Sequence, residues 1–168
     1  MATQRTLLRF LGCMMAASAA AVPVAAQDTT RPLDLATFPR TELEITSHGN
    51  DRAAHTYSFQ VWIADTEARA QQGLMFVNDL PETMGMLFPM QPPRVATFWM
   101  KNTYIELDML FIDGNGRVRK IIERAPPLSL QTQSSDTPVT AVLELKGGQA
   151  AKLGLRVGDT VTWKKAAA

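Results

Sequence analysis

Apolar and polar residues alternate along much of this chain with a period of two, the pattern of strands that bury one face. From Thr41 to Thr46, Leu43 and Ile45 face one way and Glu42 and Glu44 the other. Ser47 to Ala54 is a polar turn with Gly49 and Asn50, after which Tyr57, Phe59, Val61 and Ile63 alternate with Ser58, Gln60 and Trp62. Together these runs predict a hairpin. Asp65 or Thr66 can cap a short helix through Gln72, and Gly73 can end it. Gly85 to Phe88 is too short to classify alone. Pro89, Pro92 and Pro93 prevent a helix beyond it, and Val95 to Met100 resumes an extended pattern.

Leu107 to Ile112 is the strongest central strand. Leu107, Met109 and Phe111 take one face, and Leu110 and Ile112 share the other with Asp108. Apolar residues on both faces imply packing on both sides. Asp113-Gly114-Asn115-Gly116 signals a tight turn, and Val118 to Ile122 returns beside the strand. Ala125 to Pro138 reads as a long polar or Pro-bearing loop. Val139 to Leu145 is another strand, with Glu144 on the side of Thr140 and Val142. Gln149 to Leu153 fits one helical turn ended by Gly154, and Asp159 to Lys164 is a final strand. Long helices between strands are missing from this pattern, which disfavours a doubly wound α/β fold. The expected fold is mainly β: a compact β-sandwich or closed β-barrel with one or two short helices, the strands joined by hairpin turns.

The start of the chain has a different character. Arg5 and Arg9 precede an apolar stretch, small residues dominate from Ala16 to Ala26, and Val24-Ala25-Ala26 fits a small-x-small cleavage site. That order is what a secretory signal needs. The expected organisation is a signal peptide over 1–26, a flexible lead-in or arm over 27–39, and a single domain over 40–168. The expected location is the periplasm or outside the cell, with no stable membrane anchor after cleavage. Removal of the signal also removes Cys13, the only cysteine, and with it thiol chemistry and disulfides. The remainder carries 15 basic and 16 acidic residues. This balance, with no long basic run, leads to the expectation of no nucleic-acid partner.

No G-x-S-x-G, H-E-x-x-H, phosphate-binding glycine loop or cysteine pair is present. His48 and His55 flank a turn and lack a third ligand for zinc. Met75, Met84, Met86, Met90, Met100 and Met109 have apolar neighbours and read as core fillers. No metal or cofactor is expected. The more informative residues are charges in apolar context. Asp108 and Glu144 interrupt strand patterns, and Lys101 and Asn102 follow Phe98-Trp99-Met100. If these segments converge, Trp99, Lys101, Asn102, Asp108 and Glu144 line one polar niche within reach of Arg94. Such a niche suits a small ligand, and Trp99 adds a carbohydrate platform. Two carboxyls could also act as acid and base in a hydrolase, if their environments push their pKa values apart. The plainer reading is an ion-pair network that sets strand register.

Several segments in order resemble the domain-of-unknown-function family 192. They are Gln72 to Phe76, Gly85 to Phe88, Phe98 to Thr103, Leu107 to Asp113, Val142 to Leu145 and Gly158-Asp159. The resemblance spans roughly Glu42 to Lys164. It implies a compact β-rich fold, often behind an export signal, and no established reaction, substrate or cofactor. Lys101, Asn102, Asp108 and Glu144 match the family pattern, whereas Gln72 stands where the family often has Arg. The expected function is a periplasmic accessory or small-ligand-binding domain, for a carbohydrate or another cell-envelope molecule. The alternatives are a hydrolase using Asp108 and Glu144, and a structural or protein-interaction domain of the envelope.

Overall fold

The computed structural model describes residues 32–48 and 53–164. The signal segment expected over 1–26, residues 27–31 of the lead-in, and Gly49 and Asn50 of the first turn lie outside the described residues. Seven strands run in chain order: β1 (Arg40–His48), β2 (Ala54–Ile63), β3 (Met84–Phe98), β4 (Leu107–Ile112), β5 (Val118–Ala125), β6 (Gln133–Lys146) and β7 (Thr160–Trp163). Two short helices, α1 (Glu67–Gln72) and α2 (Gln149–Leu153), complete the set. The strands form one sheet in the order β5-β4-β6-β3-β2-β1-β7.

The fold is mainly β, as the alternation predicts. The sheet is not closed into a barrel. A single bridge, Arg117 to Thr160, joins the ends of its two edge strands. Instead the sheet curls over one cluster to which every strand contributes, including Leu43, Phe59, Leu87, Leu110, Val118, Leu143 and Val161. This is the layered packing of a sandwich. A second cluster covers the opposite face of the middle strands, built on Met86, Phe88, Met109, Phe111 and Val142 and roofed by Phe38, Leu74 and Leu80. The middle of the sheet is therefore buried on both faces, and β4 has no exposed residue.

Three expectations need correction. Not every connection is a hairpin: β2 and β3 pair in parallel, and α1 lies in the crossover between them. The segment from Pro89 to Pro93 does not interrupt the strand. β3 runs through it as one strand of 15 residues, and the register with β6 skips between Pro89 and Arg94. Pro92 and Pro93 occupy that irregularity, where no ladder N–H is required of them, and Pro89 stands at its edge opposite Ala141. The loop expected up to Pro138 is shorter, because β6 already begins at Gln133 and pairs with Phe98.

The helix signals read true. Thr66 Oγ1 accepts the Arg69 N–H at 3.3 Å, and the Gly73 N–H closes the last turn on the Arg69 carbonyl at 2.8 Å. From Pro32 the lead-in lies on the domain. The Gln72 side-chain amide donates to the Leu33 carbonyl at 2.9 Å, and Phe38 is buried. Among the described residues no helix is long and apolar enough to cross a membrane.

Asp108 ties three of these elements together. It is fully buried. The β4–β5 register shifts between Leu107 and Met109, and this irregularity takes the Arg124 N–H out of the ladder. Asp108 Oδ1 accepts that N–H at 2.8 Å and the Gly148 N–H at 2.9 Å, while Oδ2 accepts the Ala150 N–H at 2.7 Å. One carboxylate thus joins β4, the kink of β5 and the start of α2. Each orphaned buried N–H costs about 1–3 kcal/mol. Asp108→Ala should therefore lower the unfolding free energy by about 3–5 kcal/mol, read from urea melts. A loss below about 1 kcal/mol would mean that water replaces the carboxylate and the tie is dispensable.

Candidate functional site

A cavity of about 740 Å³ opens beside β3, walled by α1 and by the segment after Phe98. Its apolar walls include Leu74, Met75, Phe88, Met90 and Phe98, and its charged lining groups are Glu67, Arg94, Lys101 and Glu144. The ring of Phe98 meets Phe88 edge-on at 5.0 Å and Phe111 at 6.4 Å, which holds one wall in place.

Glu144 forms part of this lining from within the sheet. In the ladders it stands opposite Met86 of β3 and Met109 of β4, both fully buried. Only 4% of the residue is exposed. No group among the described residues hydrogen-bonds its carboxyl. Burial without a partner or nearby positive charge pushes its pKa up to about 8, so the group is a neutral acid at pH 7. As a neutral acid it can both donate and accept a hydrogen bond.

Gly85 makes this position possible. A Cβ there would lie 2.6 Å from the Glu144 backbone carbonyl oxygen and 2.9 Å from the Leu145 side chain, so glycine lets β3 approach the backbone of β6 at this point. Asn102 has φ +55°, a left-handed conformation that Asn tolerates better than most residues. Its carbonyl accepts the Phe76 N–H at 2.8 Å, joining the segment after α1 to the segment after β3. Trp99 is 47% exposed, and Lys101 Nζ lies 5.2 Å from its ring centroid.

The structure brings together five of the six residues expected at a common niche: Arg94, Trp99, Lys101, Asn102 and Glu144. Asp108 is the exception. In the β4–β6 ladder it stands opposite Leu145, one residue out of step with Glu144, so the two carboxyls project from opposite faces of the sheet. Its oxygens are already occupied by backbone N–H groups. The alternation along β4 and β6 contains this separation, since Asp108 shares a face with Leu110 and Glu144 shares one with Val142. What sequence reasoning missed is the α1 wall, with Glu67, Ala70 and Gln71. Its only signal was the Gln72 to Phe76 segment, which carries part of the family resemblance.

His48 and His55 do not converge, because Ser47 stands opposite His55 and Ala54 opposite His48. Among the described residues no group of three or more His, Cys, Asp or Glu is placed to hold a metal ion.

The raised pKa has a consequence for stability. Unfolded, Glu144 titrates near its ordinary 4.5; folded, it holds its proton to about 8. Its contribution to stability is therefore full below about 4.5 and is lost as pH rises to about 8. Wild-type unfolding free energy should fall by several kcal/mol across that window relative to Glu144→Gln, measured by urea melts over a pH series. Parallel pH profiles for the two proteins would mean that Glu144 is ionised in the fold at neutral pH.

The chain matches the model of DUF192, described as an uncharacterized ACR, over residues 48–163. No curated protein matches it. Among solved structures, a proposed transcription regulator of Sinorhizobium meliloti 1021 is 34% identical with a TM-score of 0.70, covering 75% of this chain and 95% of its own. A protein of unknown function from Novosphingobium aromaticivorans DSM 12444 is 38% identical with a TM-score of 0.67, covering 73% of this chain and 84% of its own. The description of the Sinorhizobium protein overturns the exclusion of nucleic acid drawn above from charge balance. Net charge is a sum over the whole surface and says nothing about a local patch. The family match, the order of the segments around the cavity and the shared fold agree: the chain belongs to DUF192.

Proposed function

We propose that this chain is a small-ligand-binding domain of the cell envelope, exported to the periplasm or secreted, with the cavity over Glu144 as its binding site. The unpartnered carboxyl of Glu144 carries this reading. Its oxygens are not sealed off: among the described residues the buried side-chain polar atom left without a partner is Trp62 Nε1. A ligand entering the cavity can therefore hydrogen-bond the Glu144 carboxyl in place of water. The cavity's volume, apolar walls and few polar groups are those of a small-molecule site. The charged, apolar and small-residue order of the first residues supports export. Hydrolysis by an Asp108–Glu144 pair draws no support from the geometry, since the two groups share no cavity.

A second reading rests on the description of the Sinorhizobium relative: contact with nucleic acid. It predicts retardation of a labelled DNA duplex that weakens steeply with added salt.

Thermal-shift measurements across a library of sugars, organic acids, amines and peptides test the binding reading, with Glu144→Met as the companion variant. Met matches the flanking Met86 and Met109 and removes the unpaired group. At about pH 8 the variant should be more stable than wild type by about 1–3 kcal/mol and should lose the shift produced by any ligand of the wild type. A variant that is less stable than wild type and keeps the ligand shift would make Glu144 a structural group and end this reading.

A further inference from the structure

The cavity's two ends differ in charge. Elsewhere on the domain, Arg69, Lys120, Arg124, Lys146 and Lys152 each hold a carboxylate within 3.0 Å. Arg94 and Lys101, both exposed, line the cavity and have no carboxylate partner among the described residues. The remaining charged group near the opening, Glu67, accepts a bond from the Gln71 amide at 3.1 Å. The solvent end thus presents two cations against one acid. The inner end presents a carboxyl among Met86, Met109 and Phe88.

An ammonium group at the inner end would require an ionised carboxylate in an apolar wall and would add a third cation to the site. A hydroxyl requires neither, because it donates to and accepts from a neutral carboxyl. An anionic group suits the Arg94 and Lys101 end, where exposed cations carry it without burial. The half-exposed ring of Trp99 offers a face for the body of such a molecule.

We propose, resting on the ligand-binding reading above, that the cavity takes a small hydroxylated organic acid, with a hydroxyl on the Glu144 carboxyl and the acidic group at Arg94 and Lys101. Three further charged groups line the same cavity, without acting on the Glu144 carboxyl: Glu67 from α1, Arg94 from β3 and Lys101 from the segment after it. β4 presents Met109, which does not titrate. Loss of the Glu144 proton removes a donor and places a negative charge in the same site as an acidic ligand. Binding therefore weakens as pH rises past about 8.

Calorimetric titration of the protein with glucuronate, gluconate, glucose and glucosamine tests this, because the set varies charge on a similar scaffold. At about pH 6 the two sugar acids should bind about tenfold or more tightly than glucose, and glucosamine should bind worst. At about pH 9 the sugar acids should weaken by about tenfold. Replacing both cations, Arg94→Gln with Lys101→Gln, should bring the sugar acids down to the level of glucose. Lys146→Gln with Lys152→Gln, two cations outside the cavity, serves as the charge-matched control and should leave their affinity unchanged. Tightest binding by glucosamine, rising with pH, would overturn the proposal and leave the ligand-binding reading standing. So would equal binding of acid and neutral sugars, or silence from all four compounds while the wider library yields another ligand. Silence from both the four compounds and the library would overturn the two readings together.

Discussion

Three backbone N–H groups converge on the Asp108 carboxylate, and the far half of the fold depends on that convergence. A kinked edge strand and a five-residue helix are each too weak to hold themselves. Anchoring both to the most buried strand of the sheet lets β5 bend and lets α2 begin where the inner cluster needs Ala150 and Leu155. The register of β4 on β6 then follows, and with it the position of Glu144. Moving that register by one residue would bring the two carboxyls onto the same face of the sheet.

The two acids are treated in opposite ways. On the inner face, Asp108 meets three backbone donors, shared between both of its oxygens. On the outer face, Glu144 meets two methionines and a cavity. The domain pairs one buried carboxyl with backbone donors and leaves the other, lining a cavity, without a protein partner among the described residues. The first arrangement rigidifies a framework. The second keeps its proton because burial disfavours the charged form.

Much of this was legible in the alternation along single strands. The pattern Leu107, Met109, Phe111 against Asp108, Leu110, Ile112 is the observed division of β4 between the two clusters. The capping of α1 by Thr66 and Gly73 was legible for the same local reason. Properties that depend on pairing between distant segments were not. Nothing in β2 or β3 alone announces that they run parallel, and proline content hid the continuity of β3, since one irregularity absorbs the missing donors. Trp99, Lys101 and Asn102 line one cavity because they are neighbours in the chain. Asp108 lies on the other face, a separation already present in the alternation, since it shares a face with Leu110 while Glu144 shares one with Val142.

The bridge between Arg117 and Thr160 governs how the domain behaves in company. An open sheet offers two rows of unpaired backbone groups to any passing strand, the usual route to edge-to-edge aggregation. Here β7 is only four residues long, and at one end its backbone meets that of the opposite edge: the Val161 N–H reaches the Gly116 carbonyl at 2.7 Å, and the Val118 N–H reaches the Asp159 carbonyl at 2.9 Å. A Cβ at Gly116 would lie 2.7 Å from the Val161 carbonyl oxygen, so glycine is what allows the edges to come this close. A few backbone bonds at one corner thereby shorten both exposed edges and favour a solitary molecule over a polymer of sheets.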